Sequence, residues 1–246
     1  MTAAWRMRIF FLAAAAFACL YFLGVRNLPP WGQYRGPYGD VIDSLSVYQR
    51  HATDVVNAID YDYRGFDTLG EEFILFTSVL GVMLLLRDPK GAPQVSSPES
   101  GLSETTRFSA AASFALLVLF GLYMSTHGQL TPGGGFQGGV ILASASMLIY
   151  TAEDFVVFRR ITSHPLVEGL EALGAGAYGL IGIGSLFYSL PFLTNWMALG
   201  KTGNVFSSGT IAAISACVGL EVTGAFLLLG YTFLEEIISA TGEGKR

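Results

Sequence analysis

Six stretches of this chain, about 9–25, 71–86, 108–126, 136–155, 166–192 and 209–234, are apolar over nearly unbroken runs. Crossing a bilayer takes about 20 largely apolar residues in helical form. Only a helix or a closed barrel can satisfy its own backbone polar groups in lipid. These runs therefore predict an all-α, polytopic membrane protein of about six transmembrane helices. The second run is the shortest and has acids at its mouth. Charge agrees: only 13% of residues are charged and mean hydropathy is +0.50, against about 25% charged in a soluble domain. A net charge of −5 with no basic patch gives nucleic-acid binding no support.

Arg6 and Arg8 precede the first run, as in a signal peptide, but the later spans favour a retained anchor. With the N-terminus in the cytoplasm, Arg6, Arg8, Arg87, Lys90, Arg107, Arg159, Arg160, Lys245 and Arg246 lie inside. Arg26, Arg35, Arg50, Arg64 and Lys201 then lie outside. That bias predicts an inner-membrane, multi-pass protein with both termini cytoplasmic. Residues 89–106, with Pro89, Pro93, Pro98 and several serines, read as a flexible linker. It separates a two-helix unit, 1–88, from a four-helix unit, 107–246. In the outer loop, 40–59, apolar Val41, Ile42, Leu45, Val55, Val56 and Ile59 suit an outer amphipathic helix on the membrane or on a partner subunit.

Three motifs carry ionisable or special backbone chemistry. Residues 60–72 bring Asp60, Asp62, Asp67, Glu71 and Glu72 to the mouth of the second span. Thr68 and Glu71 fit a capping box, while an ionisable group at a membrane edge also marks an ion path. Residues 127–139 hold Pro132, which stops a helix, then Gly133, Gly134 and Gly135. Their N–H groups could form an anion nest, but no Lys-Ser/Thr follows, which excludes a Walker A loop. Gly134/Gly138 and Gly135/Gly139, extended by Ala143, favour close helix packing as the main role. His127 borders this turn and is the better shuttle candidate, while His164 reads as a loop residue. Glu221 lies 12 residues after Gly209 and 13 before Leu234, in mid-membrane. There a carboxylate must be neutral, paired or beside a wet crevice. It is an ion-pathway candidate, with a buried packing hydrogen bond as the alternative. Glu168 and Glu171 suit a helix N-terminus, or a cytoplasmic half-channel.

Cys19, Cys217 and three scattered histidines offer no zinc, haem or iron–sulfur spacing, and no nucleophile–base pair stands out. No cofactor, no metal and no free-standing enzyme are expected; redox chemistry would belong to partners.

In combination the motifs resemble a known family. Residues 64–71 (RGFDTLGE) resemble the C-terminal part of the large MnhA-type component of Mrp-type multisubunit sodium/proton antiporters. That segment also occurs as a small separate component of membrane-bound hydrogenases. Residues 131–139 (TPGGGFQGG) resemble the MnhB family of the same antiporters. The tail 203–222 (GNVFSSGTI…VGLEV) is similar to a longer MnhB form found beside hydrogenase-type modules. The likeness spans about 40–88 and 107–240 and implies two neighbouring subunits fused. It implies a non-redox membrane subunit that helps form a Na+ or H+ pathway and holds the complex together. The main proton path would lie in larger partner subunits. Glu71 matches the motif glutamate and Glu221 the glutamate of the longer tail. Glu72 and the acids of 60–63 (DYDY) depart from the pattern, which leaves the ion open. The alternatives are a membrane-arm component of a hydrogenase or ferredoxin-driven complex, and a purely structural scaffold.

Overall fold

The computed structural model describes residues 3–26, 28, 32, 36–86, 103–153 and 155–243. The described residues are helical throughout their regular elements: α1 (Ala3–Arg26), α2 (Pro37–Arg50), α3 (Val55–Ala58), a π-helical turn (Ile59–Tyr63), α4 (Gly65–Leu85), α5 (Glu104–His127), α6 (Gly135–Ala152), α7 (Phe155–Ile161), α8 (His164–Gly184) and α9 (Thr210–Glu243). The chain divides into two compact units, Met1–Val41 and Ile42–Arg246. The first holds α1, whose stretch Met7–Arg26 has a mean hydropathy of 2.0. The second holds α3 to α9, so α4 belongs to one body with the helices after it.

Among the described residues, five helices are long and apolar enough to cross a membrane: Met7–Arg26, Gly65–Leu85, Glu104–His127, His164–Tyr188 and Thr210–Ile237. The protein is thus an all-α, multi-pass membrane protein. The remaining expected span is shorter, with an apolar stretch of Gly135–Tyr150. Its apolar run continues to Phe155, but the helix ends where Glu153 leaves helical geometry at φ −113°, ψ −91°. Arg107 closes that end. Its Nε donates to the Ala152 carbonyl at 2.9 Å, and its guanidinium pairs with Glu153. A cation suits the electronegative C-terminus of a helix.

Four local expectations change. The second span is not short: α4 starts at Gly65 and runs 21 residues, which puts Glu71 and Glu72 inside the helix. Thr68 is therefore no cap. The cap position is Arg64, with no side-chain cap bond, and the Thr68 hydroxyl instead donates to the Asp60 carbonyl at 2.6 Å. The outer helix is broken. It ends at Arg50, His51 adopts φ 54°, and the N–H groups of Thr53 and Asp54 donate to the Gln129 carbonyl at 3.0 and 3.2 Å. Tertiary bonding thus outcompetes helix continuation. Finally, α5 starts at Glu104, with the Thr106 N–H donating to Ser103 Oγ at 3.2 Å. The last residues assigned to the linker are helical, and 87–102 lie outside the described residues.

Within the second unit α9 is the central helix, with 67% of its apolar window buried. Glycines set its neighbours. A Cβ on Gly135 would lie 2.7 Å from Val218 Cβ, and one on Gly139 2.7 Å from Val222 Cβ, so α6 runs parallel to α9 at close range. The other face of α6 meets α5 antiparallel: a Cβ on Gly138 would lie 2.7 Å from the Gly121 carbonyl, and one on Gly121 2.7 Å from Leu142 Cγ. Small residues let membrane helices approach in this way.

Candidate functional site

Eleven residues into α9, Glu221 is fully buried, and neither carboxylate oxygen has a hydrogen-bond partner within the chain. The helix turn that carries it rests on a glycine of α8: a Cβ on Gly174 would lie 2.6 Å from the Cys217 carbonyl and from Glu221 Cβ. The relation is reciprocal. A Cβ on Gly224 of α9 would lie 2.6 Å from Glu171 N and 2.9 Å from Glu171 Cβ. Each helix carries one Glu-x-x-Gly, 171–174 and 221–224, and antiparallel pairing seats each glutamate turn on the other helix's glycine. Glu171 is 3% exposed and its Oε1 is also unpartnered.

Glu72 of α4 is the third member. It is buried, its Oε2 has no partner, and it lies within electrostatic reach of Glu221, as Glu221 does of Glu171. Glu71 is exposed, because successive helical residues point about 100° apart. Glu72 and Glu171 each lie seven residues into helices that start at opposite ends of the unit, hence about 10 Å deep from either side. The three carboxylates occupy the central third of a hydrocarbon core about 30 Å thick.

Toward the end where α4 and α9 begin, polar groups are tied down. The Gly135 N–H donates to the Tyr61 hydroxyl at 3.2 Å, and Asn57 Nδ2 donates to the Gly133 carbonyl at 2.7 Å. The turn after Pro132 therefore binds its own chain. Gly133 and Gly134 adopt φ 155° and 145°, a region that favours glycine. The Tyr178 hydroxyl donates to the Gly65 carbonyl at 2.8 Å. Asp62 pairs with Arg50 at 2.5 Å and accepts from Asn195 Nδ2 at 3.1 Å. Burial still raises its carboxyl above the usual range against those two partners. Burial, with Glu71 and Asp54 adding to it, raises Asp60 too, against Arg64. Tyr61→Phe should leave the Gly135 N–H without its acceptor. The expected cost is about 1–3 kcal/mol, read as a lower denaturation midpoint of the purified complex with its composition unchanged.

The expected site residues thus separate. Glu72 and Glu221 come together, joined by Glu171, which its position in sequence assigns to a helix opening. The repeated Glu-x-x-Gly was its signal. Asp67 forms an exposed pair with Arg64 at 2.6 Å. His127 stacks on Tyr123, ring centroids 4.5 Å apart, with Thr126 Oγ1 3.2 Å from Nδ1. Among the described residues no group of three or more His, Cys, Asp or Glu is close enough to hold a metal ion.

Residues 105–228 match the domain related to the MnhB subunit of Na+/H+ antiporter. An uncharacterised protein of Methanocaldococcus jannaschii is 31% identical over 228 residues, 80% of this chain and 86% of that protein. A probable K+/H+ antiporter protein of Rhizobium meliloti, in which the A and B components are joined, is 30% identical over 166 residues. The match covers 58% of this chain but 16% of that much longer protein. Two solved structures share the fold. A chain of the membrane-bound sulfane sulfur reductase, an archaeal respiratory membrane complex, superposes with a TM-score of 0.72 at 28% identity, covering 93% of this chain and 98% of that one. A chain of the Mrp complex from Dietzia superposes with a TM-score of 0.68 at 25% identity, covering 92% of this chain and 26% of that one.

Proposed function

Since this chain belongs to the family of domains related to the MnhB subunit of Na+/H+ antiporters, we propose that it is a non-redox membrane subunit of a multisubunit cation/proton antiporter module. Glu72, Glu221 and Glu171 line its ion pathway. One observation carries this reading: three buried carboxylates with unpartnered oxygens meet in the middle of an apolar helix bundle. Removing an ionised carboxylate from water costs several kcal/mol unless it is paired. An intramembrane acid is by default a functional group, and a group that takes up and releases a proton or cation has reason to stand there. Transport, with any redox chemistry left to partner subunits, follows from the same family relation.

In this arrangement α4, α6 and α9 enter from outside the cytoplasmic membrane, α5 and α8 from the cytoplasm, and both termini are cytoplasmic, in keeping with the arginine and lysine bias. Residues 1–88 correspond to the tail of the MnhA-type component and 107–246 to MnhB. The match to a protein with both components joined supports this division. Glu71, exposed on a membrane-spanning helix beside Phe73 and Ile74, faces a partner subunit, where it hands ions to or from the buried cluster. A second reading has one observation in its favour. The near full-length likeness to a chain of the sulfane sulfur reductase suits a membrane-arm component of a redox-driven complex with the same ion pathway.

Affinity purification of the tagged chain, with mass spectrometry of the intact complex, decides between them. Antiporter-type subunits alone support the first reading, accompanying redox subunits the second, and a chain recovered without partners overturns both. In the purified complex, Glu71→Gln should lower cation-driven proton flux roughly tenfold without loss of subunits. Unchanged flux would remove Glu71 from the route.

A further inference from the structure

The start of α8 presents a line of ionisable groups that leads to the buried cluster. His164, Glu168 and Glu171 are four and three residues apart, so they share one helix face. His164, expected in a loop, is the first residue of α8. Its Nδ1 lies 3.1 Å from Glu168 Oε1, with side chains 40% and 56% exposed. One turn deeper, Glu171 is 3% exposed with Oε1 unpartnered. Its backbone rests on Gly224, a turn from Glu221. Seven residues of helix carry this line about 10 Å inward. Tyr231 of α9 walls it, meeting the His164 ring edge-on at 5.3 Å. Glu235 and Arg159 lie within reach of Tyr231 on the surface side.

We propose that His164 and Glu168 form the proton-collecting mouth of a route that runs through Glu171 to Glu221. An imidazole accepts a proton on one nitrogen and releases one from the other, whereas alkali and alkaline-earth cations are held by oxygens. The pair therefore suits protons. A proton taken up by His164 passes to the Glu168 carboxylate, then to the Glu171 carboxylate by side-chain rotation or through water. Each step moves one proton and no electrons.

The proposal rests on Glu171 and Glu221 carrying ions, and the test separates the two ideas. The whole complex is reconstituted in proteoliposomes, its composition checked on native gels, and proton flux is followed with a pH-sensitive dye. Glu171→Gln should stop flux. His164→Ala and Glu168→Gln should each slow it roughly tenfold. Imidazole buffer on the side where α8 begins should restore His164→Ala, which it would not do for a merely structural histidine. Normal flux in His164→Ala and Glu168→Gln, or slowed flux without imidazole rescue, overturns the mouth while leaving the buried route standing. Normal flux in Glu171→Gln overturns both.

Discussion

In the assembled complex, Glu221→Gln is expected to abolish coupled cation and proton movement while the complex remains intact. The substitution keeps side-chain size and removes the titratable proton. Neither Glu221 oxygen has a partner within the chain, so no internal hydrogen bond is lost. A charged carboxylate at mid-bilayer costs roughly 2.5–3.5 kcal/mol on insertion scales, so the neutral variant should fold at least as well. Glu221→Asp keeps the titratable group but retracts it, and should retain part of the flux. Proton flux driven by an imposed cation gradient measures both. Normal transport in Glu221→Gln would leave the residue as packing. Loss of the complex would instead point to a buried ion pair between Glu221 and a neighbouring subunit.

The largest effect on assembly is expected from Gly135→Ala. The added methyl would meet the Ser215 carbonyl, Val218 Cβ at 2.7 Å and Gly219 N at 2.8 Å. Two of these are backbone atoms of the central helix and cannot rotate away, so α6 must separate from α9. Overpacking of this kind costs about 1–3 kcal/mol, occasionally more. Retreat of α6 would also stretch the bond from the Gly135 N–H to Tyr61. Gly176→Ala and Gly179→Ala are the controls. A Cβ at either position meets nothing within 4 Å, and alanine is better than glycine in a helix by about 0.5–1 kcal/mol. Yields of intact complex should fall sharply for Gly135→Ala and stay level for the controls. Equal yields would show that the α6–α9 contact does not depend on the missing side chain.

Much of this protein was settled by sequence. Runs of apolar residues compel helices, because lipid offers no partner to a free backbone group. The glycines of 133–139 announce a tight turn and close packing, and counting along the last span puts Glu221 at mid-membrane. Tertiary structure alone decided which acid of the Glu71–Glu72 pair turns inward. α4 exposes Phe66, Phe73, Ile74, Leu80 and Leu84 and buries Leu69 and Val79. Both faces are apolar, so hydrophobic periodicity cannot orient the helix. The same holds for Glu171. Its neighbour Glu221 is 50 positions away, and only the docking of each Glu-x-x-Gly on the other brings them together. The start of α4 and the break at His51 depend likewise on bonds to distant carbonyls and on the π-helical turn. In lipid the apolar pattern fixes which residues are helical. Where small residues let two backbones meet fixes which polar groups face one another.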